Sequence, residues 1–237
     1  MKIIIIAAML VSGLSSLNAQ DNYTVKMAIK VEGLPEEYSA MAESDVVVYM
    51  KGDKTKHEVT SMMMNQTSVN DGAVSTTIME QMGNKTGWTM TKAEMQADEK
   101  ENEAKKTKPT IEYTTEKKTV AGYECTKAIV TSVVGKEKKE QQSTVWFTDK
   151  IKQPTTKANI KKGMMGGPDL SSLKGFPMQT EMTVNQQGTE LKVISTVTEV
   201  LTTPIDDAVF KVNTEGYKMM TYTELKETMK KGAGGGQ

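Results

Sequence analysis

The segment Tyr23-Thr24-Val25-Lys26-Met27-Ala28-Ile29-Lys30-Val31 places an apolar side chain at every second position. Successive side chains of a β-strand point to opposite faces of the sheet, so this period of two predicts an antiparallel strand with one buried face. Gly33-Leu34-Pro35 follows at once, and glycine and proline commonly interrupt regular structure. The segment therefore predicts a β fold whose first strand lines a core.

Strand patterns of the same kind continue along most of the chain. Short apolar runs alternate with turns rich in glycine, asparagine and lysine, a spacing typical of a β meander. A sheet of about ten strands does not stay flat. We therefore expect a mainly β fold with few helices, a curled, half-open antiparallel β-barrel whose concave side is covered by helices. After the first strand, the predicted strands cover 45–50, 56–65, 74–82, 86–90, 110–119, 123–134, 141–148, 176–184 and 190–202.

Two stretches predict helices rather than strands. Residues 92–106 contain nine charged residues out of fifteen. Thr91 lies just before this stretch, and Glu94 lies three residues after Thr91. This is the spacing of a capping box, a motif in which a hydroxyl and a carboxylate accept hydrogen bonds from the free amides at a helix start. Because the stretch has too little apolar surface to join a core, we interpret it as a charged helical insert. Thr221 and Glu224 repeat the capping-box spacing and predict a C-terminal helix.

The segment 149–176 interrupts the strand pattern with several glycines and two prolines. Long irregular connections in compact domains often act as lids over binding sites. We interpret this segment as a lid loop with a short helix near Asp169–Lys174.

The N-terminal stretch 1–19 has the composition of a cleaved secretory signal. Lys2 precedes the apolar run 3–11, and Ala19 provides a small residue at the cleavage position. We expect cleavage after Ala19, a single domain over 20–231 and a disordered glycine-rich tail over 232–237. No cysteine lies near the predicted cleavage position to accept a lipid anchor, so we expect a soluble periplasmic or secreted protein.

The composition limits the function classes. Thirty basic and thirty acidic residues balance, which argues against a nucleic-acid-binding protein because such proteins usually carry a basic stripe. The only cysteine, Cys125, cannot form an internal disulfide, and its strand context favours a small buried apolar residue. Nineteen methionines against three phenylalanines predict a core rich in flexible thioethers.

The sequence offers no pattern for catalysis or for a cofactor. His57 is the only histidine, so any catalytic triad would depend on it, and its polar strand context favours simple exposure. Gly163-Met164-Met165-Gly166-Gly167-Pro168 lacks the lysine and threonine of a phosphate-binding loop. A zinc site built on His57 and Cys125 finds no support in their spacing. We therefore predict a protein that is not an enzyme, with no metal and no cofactor.

Three segments carry a resemblance to a known family. Thr119-Val120-Ala121-Gly122-Tyr123-Glu124-Cys125-Thr126-Lys127-Ala128 resembles a signature of exported bacterial domains of unknown function with a lipoprotein-carrier-like (LolA-like) architecture. Val145–Asp149 looks like the tryptophan-bearing strand that follows in those domains. Phe210–Asn213 and Gly216–Met219 look like their closing segment. The resemblance spans residues 23–220, and the charged insert at 92–106 departs from it.

The resemblance implies a half-open barrel around an apolar cavity that holds the acyl chain of a lipid or lipoprotein, with transient membrane contact. A buried methylene contributes about 0.8 kcal/mol, so an acyl chain can bind without a polar motif. We predict the cavity lining to include apolar residues of five predicted strands: Met27, Ile29, Met63, Met90, Trp146, Met178 and Met182.

Two other functions stay open. The same barrel with a filled interior would be a structural or partner-binding module. Methionine clusters such as Met62-Met63-Met64, Met164-Met165 and Met219-Met220 could bind Cu(I), which prefers thioethers. Consecutive strand residues point to opposite faces, however, so each cluster offers at most two sulfurs to one side.

Overall fold

The fold is built on one sheet of twelve strands. A computed structural model describes residues 22–105, 108–134, 139–151, 168, 170, 172–186 and 188–233. The predicted signal and most of the predicted lid loop lie outside these residues. The strands are β1 (Asn22–Glu32), β2 (Ser44–Lys51), β3 (Lys54–Ser61), β4 (Met64–Asn70), β5 (Val74–Gln81), β6 (Asn84–Thr91), β7 (Thr110–Val120), β8 (Tyr123–Val134), β9 (Lys139–Thr148), β10 (Phe176–Gln186), β11 (Thr189–Leu201) and β12 (Lys218–Thr221).

The strand order is β12-β6-β5-β4-β3-β2-β1-β11-β10-β9-β8-β7. All neighbours pair antiparallel except β12 and β6, which are parallel. The predicted mainly β class is confirmed. The sheet has twelve strands instead of about ten, it is mixed instead of purely antiparallel, and it ends in two free edges without closing into a barrel.

The strand predicted over 56–65 is wrong in its extent. β3 ends at Ser61, and β4 begins at Met64 after a tight turn. The Ser61 hydroxyl closes this turn, since it accepts a hydrogen bond from the Met64 amide and reaches the Met64 carbonyl, both at 3.1 Å. The run of three methionines resembles a strand, but a serine side chain that bonds the backbone makes the turn.

The hairpin β7–β8 contains the segment that resembles the family signature. Ala121 and Gly122 form its two-residue turn, with φ of +48° and +82°. Positive φ at both central residues is the geometry that matches the twist of a hairpin. Cys125 follows in β8 and is fully buried, so the prediction of a buried thiol is confirmed.

The sheet is curled. Lys118 of β7 donates a hydrogen bond to Gln179 of β10, although two strands lie between them in the sheet. The largest core cluster accordingly joins residues from distant strands. It contains Val25, Val46, Val48, Met50, Val59, Val120, Cys125, Ile151, Phe176, Met178 and Val197.

The two faces of β1–β6 have different coverings. We call inner the face that carries Val25, Val48 and Val59, which belong to the largest core cluster. The opposite, outer face is covered by the segment 202–217, from which Ile205 and Phe210 pack in a cluster with Val69.

Lys51 fixes this covering segment. Its ammonium group donates to the carbonyl of Ile205 at 2.8 Å and to the carboxylate of Asp207 at 3.0 Å. The segment then leads into β12, so the same stretch of chain covers the outer face and supplies the last strand.

In the described part of the chain, three α-helices accompany the sheet: α1 (Glu36–Ser39), α2 (Lys92–Lys105) and α3 (Tyr222–Ala233). Both predicted capping boxes are present. Glu94 accepts from the Thr91 amide at 2.8 Å, and Glu224 accepts from the Thr221 amide at 2.7 Å. The helix predicted over 92–106 is thereby confirmed over most of its length, and α3 extends into the predicted tail as far as Ala233.

The longer helices α2 and α3 are linked side by side. The Tyr222 hydroxyl donates to Asp98, and Lys226 forms ion pairs with Asp98 and Glu101 at 3.4 and 3.5 Å. Among the described helices, none has the length and apolarity to cross a membrane.

Candidate functional site

Five of the seven predicted cavity residues lie in or beside connected core clusters. Met27, Ile29 and Trp146 are half-buried and pack against the largest cluster, to which the buried Met178 belongs. Met182 lies in a second cluster with Val31, Leu191 and Val193, and Ile29 packs against that cluster as well.

The other two predicted residues lie elsewhere. Met63 is in the β3–β4 turn, and Met90 is near the end of β6. Neither belongs to a core cluster of the described residues. Met63 was expected inside a strand, and the turn closed by Ser61 removes it from that position.

Strand register places inner-face side chains in rows across the sheet. Residues directly opposite each other in neighbouring strands lie side by side on one face. The rows change from apolar on β1 and β2 to polar on β3–β5 and back to apolar at the β6 and β12 edge. One row is Tyr23, Met50, Thr55, Asn70, Ser75 and Met90, and the next is Val25, Val48, His57, Ser68, Thr77, Trp88 and Met220.

The inner face of β1–β6 carries no charged side chain. Each lysine, aspartate and glutamate of these six described strands occupies an outer-face position in the register. These charged residues are Lys26, Lys30, Glu32, Asp45, Lys51, Lys54, Lys56, Glu58, Glu80 and Lys85. Because an unpaired charge is costly away from water, this separation keeps the inner face suitable for apolar contacts.

A polar patch lies in the middle of the inner face. We define it as Thr55, His57, Ser68, Asn70, Ser75 and Thr77. Most members are buried, with Thr55 4% exposed and Asn70 1% exposed. Ser68 and Thr77 share a hydrogen bond of 2.9 Å, and the Asn70 side chain accepts from the Gly72 amide at 2.8 Å.

Three members of the polar patch, Thr55, His57 and Ser75, have no side-chain hydrogen-bond partner among the described residues. The Thr55 hydroxyl is buried and has none among the described residues. Neither ring nitrogen of His57 has one in the part of the chain that the structure describes. Burial lowers the pKa of His57 to about 4, so its imidazole is neutral at neutral pH. Buried polar groups are normally paired, which makes the Thr55 hydroxyl the unusual feature of the face.

An apolar margin borders the polar patch at the edge of the sheet. We define it as Met79, Trp88, Met90 and Met220, which are all half-buried. None of the four belongs to a described core cluster. Sequence reasoning found Met90 but missed the other three, although the spacing of two between Trp88 and Met90 places them on one face.

A small depression lies among the strands β8–β11. Its volume is about 160 Å³, and its lining includes Ile129, Glu181, Lys192 and the predicted cavity residue Met182. Glu181 and Lys192 form an ion pair of 2.8 Å there. Ligand sites for organic molecules usually measure roughly 300–1,000 Å³ and are mostly apolar. This depression therefore does not match the predicted acyl-chain cavity.

The described methionines give no direct support to a copper site. Met62 lies in a turn and is 71% exposed. Met219 and Met220 are consecutive in β12 and so point to opposite faces. Residues 164–165 lie outside the described residues. Within the described ranges, no group of three or more His, Cys, Asp or Glu side chains is placed to hold a metal ion.

Comparison with known proteins does not assign a family. No family model matches the chain, and no curated protein matches it. The PNGF-II structure aligns at 14% identity with a TM-score of 0.45, over 89% of this chain and 34% of that one. The chain therefore spans about a third of the length of the PNGF-II structure.

The lipoprotein LppX from Mycobacterium tuberculosis aligns at 11% identity with a TM-score of 0.35, over 81% of this chain and 93% of LppX. With TM-scores below 0.5, neither structure determines a ligand or a reaction for this chain. Fold and site together define a class only: a single-sheet, mainly β protein whose inner face carries no charged side chain over the described strands β1–β6.

Proposed function

We propose that this protein is a soluble exported carrier that binds the acyl chain of a lipid or lipoprotein on the inner face of its sheet. One observation carries the proposal. The inner face of β1–β6 excludes charge completely, yet its apolar margin stays partly open to solvent. An apolar surface that is kept free of charge and stays partly exposed is typical of a binding site.

The chemistry of the margin suits an acyl chain. Met79, Met90 and Met220 have unbranched, flexible thioether side chains, which adapt to apolar partners of different shapes. Each methylene that leaves water contributes about 0.8 kcal/mol, so a chain of ordinary length needs few polar contacts to bind. Trp88 adds a large apolar surface next to Met220.

The proposal includes export and a binding role rather than catalysis. The predicted signal at 1–19 and the resemblance to lipoprotein-carrier-like domains support a periplasmic or secreted setting. In the described residues, His57 has no carboxylate partner that would make it a catalytic base.

The two tryptophans allow a direct test. Trp88 lies in the apolar margin, whereas Trp146 packs against the core with the Lys118 ammonium 4.3 Å from its ring centre. Trp146→Phe leaves Trp88 as the only tryptophan, and Trp88→Phe leaves Trp146. A lipid with a brominated acyl chain should quench the fluorescence of the Trp146→Phe variant strongly and that of the Trp88→Phe variant weakly.

Native mass spectrometry of protein purified from the periplasm of its own host provides the second readout. We expect a lipid-sized ligand at a stoichiometry near one. The absence of any lipid, together with equal or no quenching in the two tryptophan variants, would rule out the carrier.

A structural or partner-binding module is the second candidate. The observation that favours it is the dense packing of the described core, in which Val25, Cys125 and Val145 have no exposed surface. Lipid-free protein with an unquenched Trp88 would support this module in place of the carrier.

A further inference from the structure

We propose that Thr55 and His57 form a hydrogen-bonding site for an uncharged polar group of the ligand, such as the ester or hydroxyl of an acylglycerol. This inference rests on the proposed carrier function and specifies its ligand class. Thr55 and His57 lie two residues apart on β3 and share the inner face. Neither side chain has a hydrogen-bond partner among the described residues, a property they share with Ser75, and the Thr55 hydroxyl is the member of the patch that is fully buried without one.

The Thr55 hydroxyl is the first part of the argument. This hydroxyl is buried and has no partner within the described ranges. Its desolvation is therefore not compensated by a hydrogen bond, and the folded protein would be more stable with valine at this position. Its neighbour Asn70 shows the ordinary arrangement, since the Asn70 side chain is bonded to the Gly72 amide. A hydroxyl kept unpaired beside the bonded side chain of Asn70 is accounted for if a ligand supplies the partner.

His57 is the second part. The ring is only half-buried, so the polar patch reaches accessible surface at this residue. A neutral imidazole offers one N–H donor and one nitrogen acceptor. Together with the Thr55 hydroxyl, which can donate or accept, it can satisfy both the oxygen and the hydrogen of a ligand hydroxyl or the oxygens of an ester.

The absence of charge decides the ligand class. The inner face of the described strands β1–β6 offers no lysine or arginine to neutralise a carboxylate or phosphate. Lys218 of β12 shares this face, but it lies opposite Thr86 at the edge of the sheet, four strands away from β3. An ionised head group in the polar patch would be desolvated without a counter-charge, which strongly disfavours its binding. The site therefore selects neutral ester-linked lipids over fatty-acid anions.

The position of the patch also fits one continuous ligand. In register, His57 is followed by Ser68, Thr77, Trp88 and Met220. A ligand whose polar end bonds Thr55 and His57 can thus extend its chain across the sheet onto the apolar margin.

The test compares three probes of equal chain length: monooleoylglycerol, oleate at pH 8, and the hydrocarbon 1-octadecene. Binding to the full chain is measured by displacement of a fluorescent lipid. Wild-type protein should bind monooleoylglycerol about tenfold more tightly than either of the other probes. Equal affinities, or a preference for oleate, would overturn the inference.

Thr55→Val is the decisive variant, because valine has nearly the same shape. We expect it to reduce the preference for monooleoylglycerol over 1-octadecene about tenfold while raising the denaturant midpoint of the ligand-free protein. A merely structural threonine would lower the midpoint and leave the preference unchanged. His57→Phe should also reduce the preference.

Thr77→Val is the matched control. The Thr77 hydroxyl is bonded to Ser68 at 2.9 Å, so this variant should lose stability and keep the lipid preference. If wild-type protein binds hydrocarbon and ester alike and Thr55→Val changes nothing, the head-group site fails while the carrier function stands. If it binds no probe at all, both proposals fail together.

Discussion

The fold lowers the pKa of His57, and this shift can be measured directly because His57 is the only histidine in the sequence. Burial lowers the pKa of His57 from 6.5 to about 4. The chain contains one histidine, so its ring protons give a single set of NMR signals. We expect a titration midpoint near 4 in the folded protein and near 6.5 in denaturant. A folded midpoint close to 6.5 would show that the ring is fully solvated.

The same shift makes stability depend on pH. Between pH 6.5 and 4 the unfolded chain binds a proton that the folded chain excludes, so the free energy of unfolding falls as the pH falls through this window. The ring is half-buried, and we expect a loss on the order of 1 kcal/mol from pH 7 to 4.5. Urea unfolding of wild-type and His57→Phe protein at both values isolates this loss, which the variant should lack.

Met82 occupies a strained and exposed turn position. It is 72% exposed, and its φ is +49° in the two-residue turn with Gly83. This left-handed conformation is unfavourable for most residues other than glycine, and asparagine adopts it at a lower energetic cost than methionine does. Met82→Asn should therefore raise the free energy of unfolding by about 0.5–1 kcal/mol in a denaturant titration.

Met62 provides the control for this substitution. It is 71% exposed in the neighbouring β3–β4 turn and has no positive φ. Met62→Asn should leave stability nearly unchanged. Equal gains in both variants would indicate an effect of exposed apolar surface and not of backbone conformation.

At the scale of elements, β12 can pair with β6 because Gly87 of β6 has no side chain. Gly87 of β6 lies opposite Met219, and a Cβ at Gly87 would come within 2.5 Å of the Met219 sulfur and 2.9 Å of the Thr77 carbonyl oxygen. Gly87→Ala should therefore loosen β12 and cost about 1–3 kcal/mol in denaturant unfolding. Hydrogen exchange of the 218–221 amides should accelerate more than that of β1.

A double variant checks the cause. Adding Met219→Ala to Gly87→Ala removes the sulfur contact but leaves the Thr77 carbonyl, so stability should recover only in part. If Gly87→Ala protein were as stable as wild type, β6 and β12 could move apart to accommodate the Cβ without lowering the free energy of unfolding.

The elements were predictable where a local pattern determines them. Period-two alternation gives β1, and the capping boxes at Thr91 and Thr221 give the starts of α2 and α3. The turn at Met62 was missed because it depends on the hydroxyl of Ser61 and not on a glycine. The pairing of β12 with β6 was also beyond the sequence, because a parallel pair joins segments far apart in the chain.

At the scale of the whole molecule, Cys125 reports on opening of the core. The thiol is fully buried in the largest core cluster, and burial raises its pKa. Thiolate is the reactive form, so native protein should resist a thiol reagent, and labelling should follow the same denaturant curve as circular dichroism. Prompt labelling of native protein would contradict the closed core.

An exposed thiol is the positive control for this measurement. Met82→Cys combined with Cys125→Ser places a thiol in an exposed turn and should react at once. The two proteins then differ in the position of their only cysteine.

The candidate site was predictable only in part. Alternate positions of β1–β6 are free of charge, and this could be read from the sequence once each strand is assigned. Which of these positions are neighbours depends on strand order and register, and these bring Trp88 beside Met220 and His57 beside Ser68. The unpaired hydroxyl of Thr55 is invisible in sequence, since it depends on every atom around it.

The position of β12 has a consequence for how the protein is made. The hairpins β2 to β6 are complete long before Lys218 is synthesised, so the outer edge of β6 waits for a partner during most of translation. An unpaired edge is a template on which other chains can add strands and aggregate. We therefore expect the nascent protein to be most prone to aggregation before β12 is made, and a chain truncated before Lys218 to keep this unpaired edge permanently.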